Sequence, residues 1–161
     1  MKPFLIAALT WLLALPALAG VDINAFKTEG GLTVWHVEDR SIPFVALELR
    51  FRGGASLDAE GKRGATNLMT GLLEEGAGEL DSQGFAKARD ALAASFEFDV
   101  GDDTLTVSAR FLTENRDEAL ALLRSAIVEP SFNDAAVERV RRQVESAILS
   151  NAKDPSDIAS A

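Results

Sequence analysis

The side chains able to do chemistry are few and scattered. The chain has one histidine, His36, and no cysteine. A catalytic zinc takes three protein ligands, so one imidazole on an apparent strand reads as a surface or structural residue. Glu74 and Glu75 are adjacent carboxylates, but neighbours on a helix point about 100° apart and do not converge as an acid–base pair. A solvated helix end suits them better. Asp102-Asp103 follows Gly101, where turn chemistry is a better fit than a calcium cage needing six or more oxygens. Ser56, Ser82 and Ser95 have no histidine at a hydrolase-like spacing. Gly53-Gly54 and Gly76-Ala77-Gly78 lack the following lysine of a phosphate loop. The most informative stretch is 60–78, EGKRGATNLMTGLLEEGAG, an apolar helical segment closed by glycine and followed by a loop.

Hydrophobic period and turn residues lay out the elements around these positions. Residues 33–37 and 44–52 read as strands. In the second, Val45, Leu47, Leu49 and Phe51 alternate with Phe44, Ala46, Glu48, Arg50 and Arg52, the period of a sheet with one buried face. A first helix is predicted over 62–75 with Gly76 as its C-cap, and a second over 82–93 with Ser82 as its N-cap. Strands 96–100 and 104–111 flank the Gly101-Asp102-Asp103 turn, a hairpin signal. Asn115 with Glu118 forms a capping-box pattern for a third helix, whose apolar face is Ala119, Leu122, Leu123, Ala126 and Ile127. Pro130 ends it. Asn133 then caps a fourth helix with Val137, Val140, Val144, Ala147 and Ile148 on one side. The order β-β-α-α-β-β-α-α implies an α+β fold: an antiparallel-rich sheet with a layer of helices on one face.

The ends and the charge set further bounds. Residues 1–19 have the form of a signal peptide. Lys2 is followed by an apolar run to Leu15 and by Ala17-Leu18-Ala19, a small-x-small cleavage site. The run is shorter than the ~20 residues a spanning helix needs. Cleavage near Ala19 would give an exported product, of bacterial periplasmic style, with no stable membrane insertion. The whole chain carries a formal net charge of −9, and loss of Lys2 makes the remainder one unit more negative. An acidic domain without basic patches is unsuited to nucleic acid. Without cysteines, stability rests on an ordinary hydrophobic core. Residues 20–161 read as one domain, and the stop at Ser160-Ala161, just after Lys153-Asp154-Pro155, suggests a truncated chain with later domains missing.

From Val21 onward the chain resembles the N-terminal domain of the insulinase/pitrilysin/processing-peptidase family of zinc metallopeptidases. The resemblance rests on Gly31-Leu32-Thr33-Val34, Phe51-Arg52-Gly53-Gly54-Ala55-Ser56, the 60–78 helix, Phe111-Leu112 and the basic fourth helix, in that order. That family carries the motif H-x-x-E-H on its zinc-site helix. Aligned through Gly61 and Gly64, the two histidines fall on Asn67 and Gly71 and the glutamate on Thr70. A further glutamate ligand on a later helix falls on Ala147, with Glu145 about 200° away around the helix. A substrate-binding asparagine of the family falls on Phe96. Asparagine is a poor zinc ligand, threonine is no carboxylate base, and glycine and alanine offer nothing. The resemblance therefore implies no catalytic, metal or cofactor-binding residue in this chain.

The expectation is a catalytically inactive subunit that forms a peptide-binding chamber for unfolded peptide with a paralogous zinc-bearing peptidase. Two other readings stay open. One is an independent periplasmic peptide-binding or assembly module. The other is an active zinc endopeptidase with a relocated site, which would have to be built almost wholly of carboxylates.

Overall fold

A computed structural model describes residues 21–151 and 153. The signal segment 1–19 and the chain end lie outside the described residues. The chain divides into two compact units at Ile42/Pro43.

In the first unit, β1 (Asn24–Lys27) and β2 (Thr33–His36) form an antiparallel hairpin, with Asn24 opposite His36 and Lys27 opposite Thr33. The Thr28 hydroxyl accepts the Leu32 amide at 3.1 Å across the turn. β1 has no alternating apolar pattern, which is why the sequence did not announce it.

The second unit is built on a three-stranded antiparallel sheet in the order β3 (Phe44–Arg52), β7 (Thr104–Leu112), β6 (Ser95–Val100). Val45, Leu47 and Leu49 of β3 turn inward as their alternation predicts, while Phe51 at the strand end is exposed. Inward residues of all three strands pack with the helices in one cluster. Phe96, Val107, Ala109 and Phe111 meet Phe85 of α2 (Ser82–Ala91) and Ala119, Leu122, Leu123 and Ala126 of α3 (Arg116–Val128). Phe85 is fully buried, its ring centroid 6.3 Å from that of Phe96. The other sheet face carries exposed Glu48, Arg50, Glu97 and Asp99. One sheet face is thus apolar and covered, and the fold is the expected α+β arrangement. A smaller cluster joins Leu68 of α1 (Ala65–Thr70) and Leu72 just past it to Ala136 and Val140 of α4 (Asp134–Asn151).

Several expected details change. The first helix is six residues long. Residues 71–75 tighten into overlapping i→i−3 turns, with Leu72, Leu73 and Glu75 amides donating to Met69, Thr70 and Leu72 carbonyls at 3.0, 3.3 and 3.0 Å. Gly76 is not a helix cap. With φ +135 it opens β4 (Gly76–Ala77), which pairs with β5 (Leu80–Asp81). Asp81, not Ser82, caps α2, accepting the Gly84 amide at 2.7 Å. α2 ends at Ala91. Ala93 (φ +48) follows in the left-handed conformation, and the Ala93 and Ala94 amides reach the Asp90 and Arg89 carbonyls at 3.0 and 3.1 Å, a Schellman closure. Asn115 makes no side-chain cap. Its amide donates instead to the Leu92 carbonyl at 2.9 Å, tying the start of α3 to the end of α2. Asn133 does cap α4, accepting the Ala135 amide at 2.9 Å. In α4, Val137, Val140 and Val144 pack inward, but Ala147 and Ile148 are exposed.

Candidate functional site

The motif helix is held at its start by local chemistry. Asp58 reaches forward to its start. One carboxylate oxygen accepts the Gly64 amide at 2.6 Å, and the other accepts the Thr66 amide at 3.0 Å and the Thr66 hydroxyl at 2.6 Å. These bonds, the Thr66 hydroxyl foremost, hold the Asp58 carboxyl below its ordinary range. Orphan amides at a helix start need such an acceptor, and a carboxylate there also suits the helix dipole.

The four positions the resemblance singles out, Asn67, Thr70 and Gly71 at this helix and Ala147 on α4, do not assemble a site. Asn67 is exposed. Thr70 is buried, and its hydroxyl donates to the Asn67 carbonyl at 2.8 Å. Gly71 follows in right-handed helical conformation, φ −65 and ψ −12. A Cβ built on it would lie 3.0 Å from Cγ1 of Val140 on α4. Ala147 lies on α4 beside Gln143, Ser146 and Ser150, along a shallow, open depression. Glu145 is exposed. Among the described residues no three His, Cys, Asp or Glu side chains come together as a metal set. The residues present do not fit zinc: one amide, one hydroxyl already committed to a carbonyl, and two positions with no donor.

The carboxylate pair and Phe96 have structural employment. Glu74 and Glu75 point apart, but they are not a solvated helix end as expected. Glu74 pairs with Arg89 of α2 and Glu75 with Arg139 of α4, and both carboxylates are about three-quarters buried (25 % and 22 % exposed). Phe96 is a core residue, so its side chain cannot reach a ligand at the sheet surface. His36 is exposed on β2.

Gly53-Gly54-Ala55-Ser56 clasps the Gly101–Asp103 turn. The amides of Gly53, Ala55 and Ser56 donate to the carbonyls of Asp103, Gly101 and Asp102 at 2.8, 3.0 and 2.9 Å. The Ser56 hydroxyl adds a bond to Asp103 at 3.1 Å. Gly54 is needed because a Cβ there would lie 2.1 Å from the Gly101 carbonyl oxygen. Sequence reasoning missed this clasp, the Glu–Arg pairs and the Gly71–Val140 contact. The adjacent glycines of Gly53-Gly54, facing a hairpin turn, were the only signal for the first.

Residues 33–160 match the family model of insulinase, peptidase family M16. The chain is 33 % identical over 157 residues to a Helicobacter pylori protein named "Non-peptidase homolog YmxG", covering 96 % of this chain and 35 % of that protein. It is 20 % identical over 137 residues to an "Uncharacterized zinc protease" of Rickettsia bellii, covering 85 % of this chain and 33 % of that one. Among solved structures, a peptidase M16 inactive domain from Pseudomonas fluorescens superposes with a TM-score of 0.79 at 27 % identity, over 87 % of this chain and 34 % of that one. The chain thus spans about a third of the length of the curated relatives it matches.

Proposed function

The chain belongs to the insulinase family, peptidase family M16, and on that premise we propose that it is a non-catalytic member of a two-component exported peptidase. Its part is to shape a peptide-binding chamber with a paralogous partner that bears the zinc. The observation that carries this reading is the state of the motif positions: Asn67, Thr70, Gly71 and Ala147 present no imidazole and no carboxylate. A hydrolytic zinc needs three protein ligands and a base, and this helix supplies neither. The non-peptidase homolog and the inactive domain among its relatives support the same reading.

Unfolded peptide is the proposed ligand. β3 and β6 are the outer strands of the sheet, and adding a strand to such an edge satisfies main-chain hydrogen bonds whatever the peptide sequence. The signal-like form of residues 1–19, with cleavage near Ala19, supports a bacterial periplasmic location in this proposal.

The test is a pull-down of the gene product from its native extract, assayed for peptide cleavage with and without a chelator. The expected result is co-purification of a chain with an intact H-x-x-E-H and chelator-sensitive activity that needs both chains. Chelator-sensitive proteolysis by the isolated chain would overturn the proposal. A clean monomer that binds peptide would replace it with an independent binding module.

A further inference from the structure

Gly71 adopts an ordinary right-handed helical conformation, φ −65 and ψ −12, open to any residue. Glycine there carries a backbone-entropy cost that alanine would not. Its backbone does not demand it; its neighbour does. A Cβ at 71 would stand 3.0 Å from Val140 Cγ1, closer than a relaxed carbon–carbon contact of about 3.5–4.0 Å.

Three features keep Val140 from yielding. Valine on a helix is confined almost to one χ1 rotamer, so its methyls cannot swing aside. Val140 is 5 % exposed and packed with Leu72 and Ala136, each 4 % exposed, and with Leu68, Val137 and Val144. Such close-packed interiors pass strain on instead of absorbing it. Arg139, next to Val140, is ion-paired with Glu75, four residues past Gly71, which holds the two segments together at the contact.

We infer that the metal seat of this fold has been refilled as well as stripped: Val140 stands against Gly71 at the root of the path a ligand side chain at 71 would take. Restoring the four motif residues alone therefore does not restore zinc binding. The inference rests on the non-catalytic reading proposed above, and goes further in assigning Val140 as the residue that makes the loss hard to reverse.

The test compares two variants of the full chain. One carries Asn67→His, Thr70→Glu, Gly71→His and Ala147→Glu; the other adds Val140→Ala. Zinc affinity is read by competition with a chromophoric chelator, and folding by circular dichroism. The expected result is at least a tenfold gain in zinc affinity on adding Val140→Ala. Equal affinity of the two, tight or absent, overturns the inference. A second measurement needs no metal. In a double-mutant cycle, Gly71→Ala destabilises the chain when Val140 is present and does so much less when residue 140 is alanine. Strict additivity overturns the inference. Zinc binding and proteolysis by the unaltered chain would sink the proposed function, while a coupled cycle would leave the packing assignment standing.

Discussion

Gly54→Ala is the sharpest test of how this domain holds its sheet. The added methyl would sit 2.1, 2.9 and 3.0 Å from the carbonyl oxygens of Gly101, Thr104 and Asp102. All three are backbone atoms and none can rotate out of the way. Relief requires the 53–56 segment to lift off the hairpin turn, breaking the Gly53, Ala55 and Ser56 amide bonds of 2.8–3.0 Å. Three bonds at about 1 kcal/mol each, less about 0.5–1 kcal/mol for the restricted unfolded chain of alanine, leave a net cost of about 2 kcal/mol. For a chain of this size that is roughly a 4–8 °C fall in Tm. Gly101→Ala is the matched control from the opposite side of the clasp. Its Cβ would meet only Thr104, at 3.5 and 3.8 Å, ordinary van der Waals contact. Urea titrations of both variants by circular dichroism separate the two. If Gly54→Ala unfolds within about 0.5 kcal/mol of Gly101→Ala, surface-level scatter for a substitution without a mechanism, the steric argument is wrong.

Three further outcomes follow from the same geometry. The Asp58 carboxyl sits below its ordinary range, so it adds stability above its unfolded value of about 3.9 and loses it as pH falls through the lower folded value. Asp58→Asn should therefore destabilise near neutral pH and flatten the acid limb of a urea-midpoint-against-pH curve. Ala93 occupies a left-handed C-cap at φ +48, a position that favours glycine; Ala93→Gly should raise stability by about 0.5–1 kcal/mol in thermal melts. Phe85, fully buried against Phe96, should cost about 3–5 kcal/mol on replacement by alanine, a large share of a typical domain's stability, read as a fall in the urea midpoint by near-ultraviolet dichroism.

The sheet strands were legible because β3, β6 and β7 alternate cleanly and Gly101-Asp102-Asp103 is an unambiguous turn. α3 and α4 were legible from their apolar spacing. The first helix was overextended because Leu72-Leu73-Glu74-Glu75 is helix-compatible in isolation; the Gly76–Ser131 and Gly78–Glu129 backbone bonds that pull this segment into a bridge come from distant sequence. Asp81 and Ser82 are both competent caps, and only geometry chose the aspartate. Asn115 had a closer use in the Leu92 carbonyl. At the candidate site, the identities of residues 67, 70, 71 and 147 were plain from the sequence. What stands opposite Gly71 was not, because the α1–α4 contact joins segments far apart in the chain.

The diverging carboxylates of Glu74 and Glu75 have a mechanical consequence. One grips α2 through Arg89 and the other grips α4 through Arg139, and a single peptide unit separates them. The two helices are thereby yoked: a tilt of α4 drags the Leu72–Gly76 turn, and the turn drags α2. Amide exchange should therefore rise in α2 and α4 together when either arginine is lost.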